Sequence, residues 1–144
     1  MGIVMNFQEK LHDKQQAAER RALQDLSYDQ LEKSIRACFD PLLSKVPGAK
    51  DIATEMCAEY ALEAFLLGSA MSRFGYYGEE RSVVFQRSGP SFEKLLTDFC
   101  DFWEFWASQP QMKNEIVPVC RLYLNNWWTE GFERTLKRRK MKLH

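Results

Sequence analysis

Histidine is nearly absent from this chain of 144 residues, which has only His12 and His144. A carboxylate-bridged metal centre in a helical bundle draws on paired Glu-x-x-His motifs from facing helices. Glu9 and His12 supply that spacing once, and His144 is the final residue, so a histidine-supported di-metal site is not expected. Nucleophilic catalysis lacks a base for the same reason: neither histidine has a serine or cysteine suitably placed by sequence. Cysteine is sparse too. Cys38, Cys57, Cys100 and Cys120 form no close pair, which excludes zinc-type and thioredoxin-type spacings. Each lies among apolar residues, as reduced core thiols of a cytosolic protein do. With seven glycines, the chain has no phosphate-cradling loop, since Gly75 and Gly78 are separated by two tyrosines and lack the motif's lysine. No apolar run approaches the ~20 residues of a membrane span. The initial MGIVMNF has neither the basic start nor the cleavage site of a secretory signal. Net charge is absent as well, with 20 basic and 20 acidic side chains, which argues against a surface that binds polyanions all over.

What is present points to helices. Apolar residues make up 45% and aromatics 13%, enough to exclude a disordered chain and to fill one domain's core. Apolar positions recur every three or four residues, with no sustained alternation. The first helix is expected from about Phe7 to Leu26, after a disordered start at 1–6. Ser27 and Gln30 form a capping box for the second, whose apolar face is Leu31, Ile35, Cys38, Phe39 and Leu42. Pro41 predicts a kink or an end near Asp40. Pro47-Gly48 marks a loop, and Asp51 is placed to cap a long central helix over Asp51–Phe74. Its stripe of Ala53, Cys57, Ala61, Ala64, Gly68 and Ser72 is small-sided and admits a close neighbour. A short helix falls within Glu79–Arg87. The fourth main helix restarts at Pro90 and runs to about Ala107, where Gln109-Pro110 ends the pattern. The last begins near Asn114 and reaches about Lys142. The expectation is an all-α single-domain bundle of about five helices over 1–144, with long central and C-terminal helices. Cys57, Tyr60 and Gly68 repeat the mutual spacings of Cys120, Tyr123 and Gly131, which suggests that two helices cross near their glycines.

Four features carry what chemistry there is. Glu55, Glu59 and Glu63 stand on successive turns of the central helix and could hold a hard cation or raise one another's pKa. The commoner outcome is a solvated face, or pairing with Arg73, Arg81 or the basic terminus. That terminus, residues 134–144, holds Arg134, Lys137, Arg138, Arg139, Lys140 and Lys142 without an acid, leaving −6 on the first 133 residues. It suits phosphates of nucleic acid or anionic lipid, or else the acidic faces of its own bundle. Tyr76 and Tyr77, in a glycine-bounded loop, either form a recognition surface or plug one end of the bundle. Phe105 falls on the acidic face of its helix and marks a possible homodimer contact.

ALEAFLLGSAMS (Ala61–Ser72), RFGYYGEE (Arg73–Glu80) and WWTEGFERTLKRRKMKLH (Trp127–His144) resemble the small YbaK-like family of uncharacterised helical proteins of bacilli, which is distinct from the tRNA-editing deacylase of the same name. The resemblance covers most of the chain. It implies a soluble intracellular helical protein of spore-forming bacteria and carries over no catalytic residue. The expected function is therefore a non-catalytic, cytoplasmic interaction or regulatory module that needs no cofactor and binds another protein. The alternative is a binder of nucleic acid or anionic membrane through the basic terminus. A third reading is a metal protein or enzyme built on the glutamate row.

Overall fold

Three- and four-residue periodicity builds helix almost throughout the computed structural model, which describes residues 16, 17, 19–24, 26–44, 48, 50–106 and 113–142, with the backbone alone at Trp106, Lys113 and Lys142. Among the described residues there are six helices and no strand: α1 within 16–24, α2 Tyr28–Leu43, α3 Lys50–Tyr76, α4 Arg81–Arg87, α5 Gly89–Trp106 and α6 Lys113–Lys142. Phe7, Glu9, Leu11, His12, Ala18, Gln109, Pro110, His144 and the start at 1–6 lie outside the described residues. None of the described helices is long and apolar enough to cross a membrane.

Helix ends depart from expectation in small ways. Ser27 takes the extended N-cap conformation before α2 but makes no side-chain capping bond, and Gln30 accepts a hydrogen bond from Arg134 instead. The capping box is therefore replaced by a long-range contact that holds the start of α2 against α6. Pro41 does not stop α2 at once; the helix continues to Leu43, and the Ser44 hydroxyl bonds the Pro41 carbonyl at 2.8 Å. Asp51 lies inside the first turn of α3, because the helix starts at Lys50, and its charge there still favours the helix dipole. At the other end α3 runs on through Gly75 and Tyr76, so only Tyr77 and Gly78 form the turn. Gly78 has φ 102°, the left-handed geometry in which glycine ends helices without strain.

The central helix is α3, which packs on α2, α4, α5 and α6. Its small stripe is wholly buried: Ala53, Cys57, Ala61, Ala64, Gly68 and Ser72 all face the interior. The partner that uses this stripe is α6, and the two helices run parallel in a fixed register. Tyr123 meets Cys57, Thr135 meets Ser69 and Arg139 meets Ser72. An alanine Cβ built at Gly68 would lie 1.9 Å from the Trp128 carbonyl oxygen, and one at Gly131 would lie 1.9 Å from the Phe65 carbonyl oxygen. Backbone thus touches backbone where side chains normally separate helices. The repeated Cys, Tyr and Gly spacing reflects this crossing. Phe65 and Gly68 stand to α3 as Trp128 and Gly131 stand to α6, so the pair is nearly two-fold symmetric about its contact.

Above the glycines the seam is polar and closed. Ser69 and Thr135 share a hydrogen bond of 2.6 Å, Ser72 donates to the Ser69 carbonyl, and the Arg139 Nε donates to Ser72 at 2.8 Å. Below them the seam is aromatic. Phe39 of α2 stacks on Trp103 of α5 at 5.1 Å and meets Phe99 and Tyr123 edge-on at 5.6 and 4.9 Å. Tyr60 of α3 stacks on Phe99 at 4.7 Å. The buried Tyr123 hydroxyl donates to the Cys57 carbonyl at 2.8 Å. Tyr123→Phe should therefore cost about 1 kcal/mol by denaturant unfolding, the usual worth of one buried hydrogen bond. A variant as stable as the parent would show that this bond adds nothing. Trp103 and Trp128 bury their indole N–H groups without a hydrogen-bonding partner. Trp128 stands edge-on to Phe85 at 4.9 Å, so ring faces are the weak acceptors nearby.

Candidate functional site

The parallel register of α3 and α6 places the C-terminal end of both helices, with the α3–α4 turn, at one end of the bundle. Tyr76 and Tyr77 stand there. The Tyr77 N–H bonds the Arg73 carbonyl, Gly78 bonds Gly75, and the Glu79 N–H bonds Phe74, so the turn is tied back to α3 by successive backbone bonds. The Glu79 carboxylate receives both Arg87 nitrogens across the turn, which holds its carboxyl below the ordinary carboxylate range. Arg87 and Arg73 both lie over the Phe74 ring, at 4.6 and 4.9 Å. On this braced corner Tyr77 is 82% exposed and meets Tyr76, 37% exposed, edge to face at 5.5 Å. The tyrosines do not plug the bundle; Phe132 and Leu136 do, packing on Gly75.

The basic terminus reaches the same end, but much of it is spent inside the fold. Arg134 bridges Glu130 at 2.8 Å and donates to Gln30 at 2.6 Å. Arg139 is drawn onto Ser72, and Arg138 is half-buried with contacts of its own. Lys137 and Lys140 are exposed, and the Lys142 side chain lies outside the described residues. Arg81 turns to Glu133 at 2.6 Å.

The glutamate row is divided between two grooves. Glu59 and Glu63 border one of about 510 Å³, with Leu23, Met56, Tyr60, Leu66, Leu95 and Asp98. Glu55 borders another, of about 520 Å³, beside Tyr28, Glu32 and Asp51. All three row members are exposed, and none of the described ion pairs involves them, so the suggested pairing with Arg73, Arg81 or the terminus does not form among the described residues. Glu59 shares its groove with Asp98 of α5, which spacing along α3 could not indicate. Their effect is felt at Tyr60, whose hydroxyl is pushed up first by burial and then by the charges of Asp98, Glu59 and Asp101. No group of three or more His, Cys, Asp or Glu among the described residues is arranged to hold a metal ion. Phe105, 80% exposed, projects from the far end of α5.

The four thiols converge although the sequence scatters them. Cys38, Cys57, Cys100 and Cys120 come from α2, α3, α5 and α6 and are all free. Burial pushes the Cys57 thiol up, with a smaller contribution from Cys38. The Cys120 thiol is pushed up as well, first by neighbouring Cys100 and then by burial, with smaller contributions from Cys57 and Cys38.

A family model described as "Protein of unknown function (DUF2521)" matches residues 1–144. The chain belongs to the DUF2521 family. A relative from Bacillus subtilis (strain 168), "Uncharacterized protein YbaK", is 32% identical over 146 residues, covering 99% of each chain. The YbaK-like resemblance carried by residues 61–80 and 127–144 thus extends along the whole of this DUF2521 chain. No solved structure matches it.

Proposed function

We propose that this DUF2521 protein is a non-catalytic, cytoplasmic interaction module that engages another protein through the Tyr76–Tyr77 corner. The observation that carries this reading is the 82% exposure of Tyr77 on a turn hydrogen-bonded to α3 and braced by Arg87. A large ring held rigidly in water loses little conformational entropy on binding, which is why tyrosine anchors interfaces. A photocrosslinking residue at Tyr77, in the full chain expressed near native level in a spore-forming host, should capture one discrete protein. The same residue at Glu63, far down α3, should not. Tyr77→Ala should then weaken binding of that protein roughly 30-fold, the loss of a hot-spot anchor. Equal capture from both positions, or none from either, would defeat the reading.

Lys137 and Lys140 support a second reading, because they are exposed at the same end. An anionic surface would then be the partner, with the tyrosines at its headgroup level or stacked on bases. Anionic vesicles or single-stranded nucleic acid should bind in low salt, and Lys137→Ala with Lys140→Ala should abolish it. Binding that ignores both salt and the double substitution would remove this alternative.

A further inference from the structure

The short α4 runs antiparallel to α6, because Arg81 reaches Glu133 and Phe85 stands edge-on to Trp128. Between the two helices lies a groove of about 500 Å³, floored by the half-buried Phe85 and the buried Trp128. Its walls are polar. Ser82 and Gln86, one turn apart on α4, oppose Asn125, Asn126 and Thr129 on α6. Among the described residues these five side chains make no hydrogen bond, and the Trp128 indole N–H has no partner either. The hollow between α6 and α2 differs in this respect. There Trp127 donates to Ser34 and Arg134 donates to Gln30, so the fold itself uses those polar groups.

The chemistry of these groups narrows the ligand. A side-chain amide offers a donor and an acceptor together, as a peptide group does, and a hydroxyl can serve as either. The charge on the wall, Arg81, is already paired with Glu133, so nothing here selects a phosphate or a carboxylate. We propose that this groove binds an extended segment of another protein through the segment's main-chain amides. Arg81 begins α4 just after the α3–α4 turn, so the groove starts within a few residues of the tyrosine corner. At its other end Leu122 stands one turn before Asn126 and is 57% exposed, an apolar contact for one side chain of the segment. From Glu133 to Leu122 the α6 surface extends about 16 Å at 1.5 Å per residue. About five residues of extended chain cover that length at roughly 3.3 Å each. The proposal rests on the reading of this protein as an interaction module and gives the form in which its partner is held.

Random dodecapeptides displayed on phage, selected on the full chain, supply the probe; the enriched sequence is synthesised with a fluorescent label. Its anisotropy should show saturable binding, which Gln86→Ala with Asn125→Ala weakens about 30-fold, as the loss of two hydrogen-bonding partners does. Both positions are exposed, so the urea midpoint of the double variant should stay where it was, which separates lost contacts from lost fold. Methylating alternate main-chain nitrogens of the peptide, with its side chains kept, should weaken binding at least tenfold for one of the two alternate sets. Tyr77→Ala tells the groove and the corner apart. A peptide lost with Gln86 and Asn125 but held normally by Tyr77→Ala keeps the groove and removes the corner. A peptide lost only in Tyr77→Ala keeps the corner and overturns the groove. Enrichment of no peptide, or binding indifferent to main-chain methylation, would overturn it as well.

Discussion

Gly131→Ala should destabilise this protein by about 3 kcal/mol, the upper part of the overpacking range, despite alanine's better helix propensity of about 1 kcal/mol. The new Cβ would sit 1.9 Å from the Phe65 carbonyl oxygen and 3.0 Å from its Cα. Backbone cannot rotate away as a long side chain could, so α3 and α6 must separate along the seam. Separation also stretches Tyr123 to Cys57 below and Ser69 to Thr135 above, which spreads the cost beyond one residue. Gly68→Ala should behave the same way against the Trp128 carbonyl. The double variant should fall short of the sum, because either substitution already opens the single crossing that both glycines share. Urea titrations of the two variants and their combination measure all three quantities. Gly48→Ala, where a Cβ meets nothing within 4 Å, is the control that should leave the midpoint nearly unchanged. A Gly131→Ala variant as stable as that control would mean that the helices are not in backbone contact.

The second large effect belongs to Phe39. Phe39→Ala should cost about 4 kcal/mol, in the range for removing a fully buried phenylalanine. The ring is wholly inaccessible and touches Phe99, Trp103 and Tyr123, so it joins α2 to both α5 and α6. Truncation leaves a cavity walled by three large rings on well-packed helices, which collapses poorly. Phe39→Leu should recover about half of the loss by refilling the apolar volume without the stacking. Leu31, Ile35, Leu42 and Leu43 also bury α2, and Trp127 donates to Ser34 at 3.1 Å, but Phe39 is the ring that ties it to α5 and α6, so its amides should also exchange faster in Phe39→Ala than those of α3. Hydrogen exchange followed by mass spectrometry separates that local release from global unfolding. Uniform acceleration in all helices would show that α2 is not held mainly by this ring.

Neither result depends on what the protein binds, whereas both bear on where it can bind. The α3–α6 seam and the Phe39 cluster make the two long helices one rigid body, and the Tyr76–Tyr77 corner sits on its end. Loss of partner binding in Tyr77→Ala with unchanged unfolding would therefore separate recognition from scaffold.

The sequence by itself determined the helices, because their signals are local. Spacing of three and four residues placed α2, α3, α5 and α6 within a few residues of their observed limits, and Gly78 and Pro90 sit where helix ends tolerate them. It also placed the small stripe of α3 and, through Gly68 and Gly131, the crossing that uses it. Family membership was legible too, in residues 61–80 and 127–144. Only the tertiary structure decided the pairings. Tyr123 and Cys57 are 66 residues apart, and Arg134 and Gln30 are 104 apart; their meeting depends on how helices are rotated and registered, which no local rule encodes. Surface ion pairs are each worth about 1 kcal/mol or less, so they follow the packing and do not direct it. That is why the basic terminus turned partly inward, the glutamate row was divided between two grooves, and Ser27 lost its capping box. The convergence of four dispersed cysteines has the same origin. Each occupies a core-facing position for its own helix, and the bundle brought those positions to one level.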